Sequence, residues 1–150
     1  MRTIKVKPVE IIGKCRANLS LNDEFEIEGM RLKTSNGCNL CFLALGQLPP
    51  IISQLQCGKH FFAHATCPDC QSRLDKENHV VFLLGHADKW ELCQAISEYC
   101  RLCRECAEEP VVSRRLTAEA LRSQSEGDFF TATQKMTAAL AELKRVMNWQ

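Results

Sequence analysis

The stretch Val80-Val81-Phe82-Leu83-Leu84-Gly85-His86-Ala87-Asp88-Lys89-Trp90-Glu91 decides the fold, because two kinds of patterning meet inside it. Val80 to Leu84 is a short β-prone apolar run that reads as a strand. Beyond Gly85 the strand signals stop. Asp88, with Glu91 three residues later, reads as a capping box in which the aspartate accepts from an early orphan N–H while the glutamate reaches back. The chain is therefore expected to divide near residue 87. Residues 1–86 read as an α+β domain and 87–150 as a helical domain or arm.

Toward the N-terminus, His60 to Thr66 is a second β-prone run, joined to Val80–Leu84 by the polar stretch Cys67 to Asn78. The two predict a long hairpin with a metal knuckle at one end. Thr3-Ile4-Lys5-Val6-Lys7 alternates and is expected to end at Pro8, and Glu24-Phe25-Glu26-Ile27-Glu28 alternates before Gly29. Asn39 to Leu48 is rich in helix-forming Leu, Ala and Phe. Pro49-Pro50 then interrupts, and Ile51 to Gln56 predicts a further helical segment stopped by Gly58. These signals predict a small mixed sheet with one or two short helices.

Toward the C-terminus, a first helix is expected from about Lys89 to Ala107, closed by Pro110. Thr117 is placed to cap a short second helix ending near Ser125, and Gly127-Asp128 supplies a break and the next cap. In the last helix Phe129, Thr133, Met136, Leu140, Leu143 and Met147 recur at steps of four and three, a seam that must face another helix. Lys144 and Arg145 fall in its last turn, where cations suit the helix dipole. The tail reads as a three-helix C-terminal unit, through which a protein partner or a homo-oligomer contact is expected.

Composition sets the context. The 150 residues are 45% hydrophobic and 25% charged, ordinary for a globular protein. No apolar run approaches the roughly 20 residues of a membrane span, and MRTIKVKPVE lacks the apolar segment of a signal peptide, so a cytoplasmic protein with no membrane partner is expected. A formal net charge of +1 gives no electrostatic case for nucleic acid. Arg114/Arg115 and Lys144/Arg145 are isolated basic pairs rather than a patch.

Ten cysteines remain to be explained. In a reducing compartment such a pattern reads as metal-binding or redox-active rather than as a disulfide framework. Cys38-x2-Cys41 with Cys67-x2-Cys70 has the form of a zinc ribbon, since two thiolates three residues apart on a tight turn both reach one ion. Cys57-x2-His60 with Cys67-x2-Cys70 competes as a local set, and a third set exchanges one member for Cys15. The first is preferred, because Cys57 and His60 are expected in a strand, where residues three apart diverge. His64, His79 and His86 read as surface or hydrogen-bonded histidines. On the first tail helix Leu92, Cys93, Ile96, Tyr99, Cys100, Cys103 and Cys106 share an arc of roughly 140°. Cys100-x2-Cys103-x2-Cys106 copies the run of three in bacterial ferredoxins, so Cys93, Cys100, Cys103 and Cys106 stand as alternative ligands of a [4Fe–4S] cluster. A straight helix spreads the last three over about 9 Å of axis, which counts against one compact site. A soft ion such as Cu(I), or plain burial, are the other readings of these thiols.

Gly13-Lys14-Cys15, Asn22-Asp23-Glu24-Phe25, Cys41 with Pro50 nine residues later ahead of an apolar helix and Gly58, and Cys67-Pro68-Asp69 before Val80-Val81-Phe82 together carry a resemblance. Over about residues 4 to 86 the chain resembles a family of small uncharacterised prokaryotic cysteine-containing proteins with a Gly-x-Cys, Gly-Asp-x-Phe, Cys and Cys-x-Asp pattern. The resemblance implies that Cys15, Cys41 and Cys67 belong to one constellation, and it implies no function. Asn22 stands where that pattern has glycine, and Cys38 and Cys70 are additions that turn single thiols into pairs.

Catalytic signatures are missing: there is no G-x-S-x-G, P-loop, dinucleotide fingerprint or H-E-x-x-H. Cys67 near His64 is better explained as a ligand than as a nucleophile, and the polar sequence after Cys70 does not suit a thioredoxin-like motif. The expectation is a non-catalytic protein holding Zn2+ through Cys38, Cys41, Cys67 and Cys70, with Cys15 attached by the resemblance. An iron–sulfur electron-transfer or accessory subunit of an anaerobic oxidoreductase is the alternative, and a transcriptional regulator comes third.

Overall fold

In the computed structural model residues 2–34, 37–58, 60–67, 78–106 and 110–148 are described. They form two compact units, Met1–Trp90 and Glu91–Gln150. The first holds strands β1 (Thr3–Ile12), β2 (Phe25–Glu28), β3 (Arg31–Thr34), β4 (Phe62–Thr66) and β5 (His79–His86), with helix α1 (Phe42–Gln56). The strands make one five-stranded sheet in the order β3-β2-β1-β5-β4. Every pairing is antiparallel, where a mixed sheet was expected. The α+β class with a C-terminal helical unit is the observed architecture.

One face of the sheet carries the core. Ile4 and Val6 of β1, Phe25 of β2 and Val80, Phe82 and Leu84 of β5 are buried with Ala44, Leu48, Ile52 and Leu55 of α1 in a single cluster. The helical residues recur at steps of four and three, so one stripe of α1 meets the sheet. Fully burying each large aliphatic side chain contributes about 1.5–3 kcal/mol.

Strand β1 does not end at Pro8 but runs on to Ile12. Its register against β5 shifts between Pro8 and Glu10, a bulge. A bulge absorbs a residue without an N–H, and the extra residue reverses which side of the strand faces inward. Ile4 and Val6 face the core before it, and Ile11, paired with Val80, packs on the core after it. Strand β3 carries no apolar alternation and its four residues are exposed. It is held by pairing with β2 through a turn at Gly29, whose φ of 63° a side chain would resist.

Helix α1 is also longer than its sequence implied, running without interruption through Pro49 and Pro50. Two prolines remove the N–H groups that would bond the carbonyls of Leu45 and Gly46. Gly46, Pro49 and Pro50 all lie on the exposed side, while Ala44, Leu48 and Ile52 are buried opposite. Gly58, at φ 76°, ends the helix by donating to the Leu55 carbonyl at 2.9 Å.

The second unit contains α2 (Trp90–Glu105), α3 (Val111–Ser125) and α4 (Phe129–Met147), α2 starting one residue earlier in the first unit. Asp128 caps α4 by accepting from the Thr131 N–H at 3.0 Å. Met136, Leu140 and Leu143 of the expected seam are buried, joined by Ala132 and Ala139. Thr117 is not a cap: α3 begins at Val111, and the Thr117 hydroxyl donates to the Ser113 carbonyl one turn back at 3.0 Å. Pro110 is the N-cap residue of α3.

Candidate thiol site

Three loops meet at one end of the sheet, and a buried aspartate joins two of them. Both oxygens of Asp23 are used: Oδ2 accepts from the Ser20 N–H at 2.7 Å and Oδ1 from the Asn39 N–H at 3.1 Å. Asn39 returns a side-chain hydrogen bond to the Asn18 carbonyl at 3.0 Å. Asn18 itself has φ 50°, a conformation that asparagine tolerates better than most residues. It closes a turn by donating to the Cys15 carbonyl at 3.0 Å. The segment before β2 is thereby fixed to the segment that leads into α1. The loop after β1 is tied to the start of β5, where the Lys14 N–H donates to Asn78 Oδ1 at 2.7 Å.

This scaffold places two cysteines face to face. Cys41 is the N-cap residue of α1, with extended backbone at φ −94° and ψ 112°, and its side chain makes no capping hydrogen bond. Cys67 follows β4 and continues its ladder, donating to the Val80 carbonyl at 2.9 Å. Alternation along β4 puts Ala63, Ala65 and Cys67 on the face that α1 covers. Their membership of, or packing on, the core cluster agrees with that placement. The two sulfurs lie 3.9 Å apart across 26 residues of sequence. Cys67 is 1% exposed, whereas Cys41 is only half-buried.

Cys15 is half-buried and packs on the hydrophobic core cluster that includes Cys67. Cys38 donates through its thiol to the Asn39 carbonyl at 3.5 Å. Burial, followed by the negative charge of Asp23, holds its thiol above the ordinary cysteine range, opposed by a hydrogen bond from the Glu24 backbone. Cys70, with the rest of residues 68–77 and so most of the expected knuckle between Cys67 and Asn78, lies outside the described residues. Among the described residues no group of three or more His, Cys, Asp or Glu side chains converges as a metal site would require.

Cys57 is exposed at the C-cap of α1 and His60 is exposed ahead of β4, so neither sits in the strand expected for them. Cys57 closes the last turn of α1, its N–H donating to the Ser53 carbonyl at 3.0 Å, and β4 starts only at Phe62, beyond His60. His79 lies 3.4 Å from Glu10 across the β1–β5 pair, and His64 meets the ring of Phe62 edge-on at a centroid distance of 5.9 Å. His86 is fully buried.

Three of the tail cysteines lie on α2 and Cys106 follows its last residue, in differing environments. Cys93 is buried, Cys103 and Cys106 are half-buried and Cys100 is exposed. Tyr99, Leu102 and Ala95 are buried, so in its later turns the packed face has rotated away from Cys100. The helix stays regular through this region, with the Cys106 N–H still donating to the Leu102 carbonyl at 3.0 Å.

Sequence spacing had brought out Cys41 and Cys67 as members of two CxxC steps. Asp23 entered only as part of the Asn22-Asp23-Glu24-Phe25 stretch that carries the resemblance, with no sign that it fastens two loops, since its partner Asn39 lies 16 residues away. No family model, curated protein or solved structure matches the chain. Among the described residues no helix is long and apolar enough to cross a membrane.

Proposed function

We propose that the first unit is a thiolate metal-binding module whose ion, Zn2+, serves a structural and non-catalytic role. The observation that carries this reading is the 3.9 Å separation of the Cys41 and Cys67 sulfurs. Two thiolates bound to one tetrahedral zinc, each at about 2.3 Å, stand about 3.8 Å apart, so this pair fits two corners of such a site. Cys70, three residues beyond Cys67, and Cys38, three residues before Cys41, complete the ligand set suggested by the sequence, with Cys15 available in exchange for one member. When bound, the ion would cross-link the loops that Asp23 and Asn78 already hold. A cysteine-rich chain of this kind suits a reducing compartment such as the cytoplasm.

The iron–sulfur alternative would need Cys93, Cys100, Cys103 and Cys106 to converge, and the regular helix over Trp90–Glu105 gives it no support. The regulator reading gains nothing from a net charge of +1. The tail helices remain the proposed contact for a protein partner or a second copy, supported by Val111, Leu121 and Phe130 on their surface.

Elemental analysis of anaerobically purified protein tests the metal reading. About one zinc per chain is expected, lost in Cys41→Ser and Cys67→Ser and retained in Cys57→Ser. Metal-free protein whose melting temperature does not respond to a chelator overturns it, and a brown, iron-loaded protein transfers the case to the alternative.

A further inference from the structure

The Cys41–Cys67 pair has the arrangement of a dithiol that closes to a disulfide. Two thiols in van der Waals contact at 3.9 Å need only a small side-chain movement to reach bonding distance, and they come from elements that a common loop scaffold keeps together. Their exposures are unequal. Cys41 is half-buried at the start of α1 and meets reagents from solution, while Cys67, 1% exposed, is screened by the core. Such asymmetry divides the roles in thiol–disulfide exchange between an attacking thiol and a resolving one.

We infer that Cys41 and Cys67 form a reversible redox site, in which Cys41 reacts with a low-molecular-weight disulfide and Cys67 resolves the product. The Cys41 thiolate attacks one sulfur of the reagent, its S–S bond breaks, and one thiolate leaves as Cys41 becomes a mixed disulfide. The Cys67 thiolate then attacks the Cys41 sulfur, expelling the second reagent thiolate and closing the protein disulfide. The reagent takes up two electrons, and the two protons lost by the protein thiols go to the leaving thiolates. Reduction by excess small thiol runs the same steps backward.

The site uses the sulfurs assigned above to zinc but needs no metal, and the two states exclude each other, because oxidised sulfurs are no longer thiolate ligands. Oxidation would therefore expel a bound ion.

The test incubates the full-length protein with glutathione disulfide, before and after chelator treatment, alkylates the remaining thiols and maps the cross-linked peptides. A Cys41–Cys67 link that reverses with reduced glutathione is expected. Cys67→Ser should trap one glutathionyl group on Cys41, and Cys41→Ser should leave Cys67 unmodified. Cys57→Ser, at an exposed position, controls for general oxidation. A Cys67–Cys70 link, or oxidation confined to Cys57 and Cys100, overturns the inference even if both site variants fail to fold, since the wild-type map alone decides it. Metal content on the same samples separates the two readings. A metal-free protein that forms the link sinks the zinc site alone, and a zinc-loaded protein that forms no link after chelation sinks the redox site alone.

Discussion

The imidazole Nε2 of His86, the last residue of β5, lies 2.9 Å from the carbonyl oxygen of Leu55 near the end of α1. A carbonyl only accepts, so Nε2 carries the proton and donates. Leu55 O also accepts from the Gly58 N–H at 2.9 Å, so it keeps a partner if the imidazole is removed. His86 Nδ1 is buried and has no hydrogen-bond partner among the described residues. The ring therefore serves chiefly as packing between strand and helix. His86→Ala is expected to cost about 2–4 kcal/mol through the cavity it leaves, and His86→Leu, which refills much of the space and removes the unpartnered nitrogen, well under half of that. Urea denaturation of both variants decides the matter. Equal losses would mean that the hydrogen bond, not the packing, holds the ring in place.

Gly46 lies in the middle of α1 on its exposed side, where a Cβ would meet nothing within 4 Å. Its φ is not in the left-handed region, so the residue contributes backbone freedom to the unfolded chain without serving the folded one. Gly46→Ala should stabilise the protein by about 0.5–1 kcal/mol. A thermal melt reads the gain as an upward shift. A loss instead would mean that the two prolines one turn on require glycine at this position.

In the second unit one hydroxyl joins three helices. Ser113 of α3 donates to the Ala139 carbonyl of α4 at 3.1 Å, and its oxygen lies 2.8 Å from the Tyr99 hydroxyl of α2. With the serine proton committed to the carbonyl, the tyrosine must be the donor to Ser113 Oγ. All of this is buried, with Ser113 at 0% exposure. Ser113→Ala removes both bonds at once and is expected to cost about 1–3 kcal/mol. Combining it with Tyr99→Phe should give less than the sum of the two single losses, because the variants share a bond. Additive losses would dissolve the network.

Legibility in the sequence followed the range of the interaction. Asp128 and Gly58 announced helix ends because capping is decided within a few residues, and Met136, Leu140 and Leu143 announced a seam because a helix face repeats locally. The β4–β5 hairpin was legible for the same reason. Strand β3 was not, since Arg31-Leu32-Lys33-Thr34 lies on a sheet edge and needs only a partner's backbone. The continuity of α1 was hidden because the two prolines are tolerated on its exposed side, a placement that depends on which side of the helix the sheet covers. At the thiol site, the CxxC steps pointed to Cys41 and Cys67. What brings those two sulfurs together while Cys38 turns toward Asp23 is a loop arrangement with partners up to 64 residues apart, as for Lys14 and Asn78.

Asp128 ties a local cap to the acid behaviour of the helical unit. Its carboxyl is held below the usual aspartate value of 3.8 by hydrogen bonds from the Thr131 hydroxyl and the Thr131 N–H. A carboxyl with a depressed folded-state value stabilises the fold fully above the unfolded value, and that contribution fades as the pH falls through the folded one. The cap should therefore act at full strength at neutral pH and weaken below about pH 4. Asp128→Ala is expected to lower the melting temperature at pH 7 and to narrow its difference from wild type at pH 3. Asp128→Asn, which keeps an acceptor oxygen without the titrating charge, should retain most of the neutral stability and show less change between the two pH values. Circular dichroism melts of the three proteins at both pH values provide the comparison. A deficit in the alanine variant that stays constant with pH would assign the cap to neutral hydrogen bonding alone.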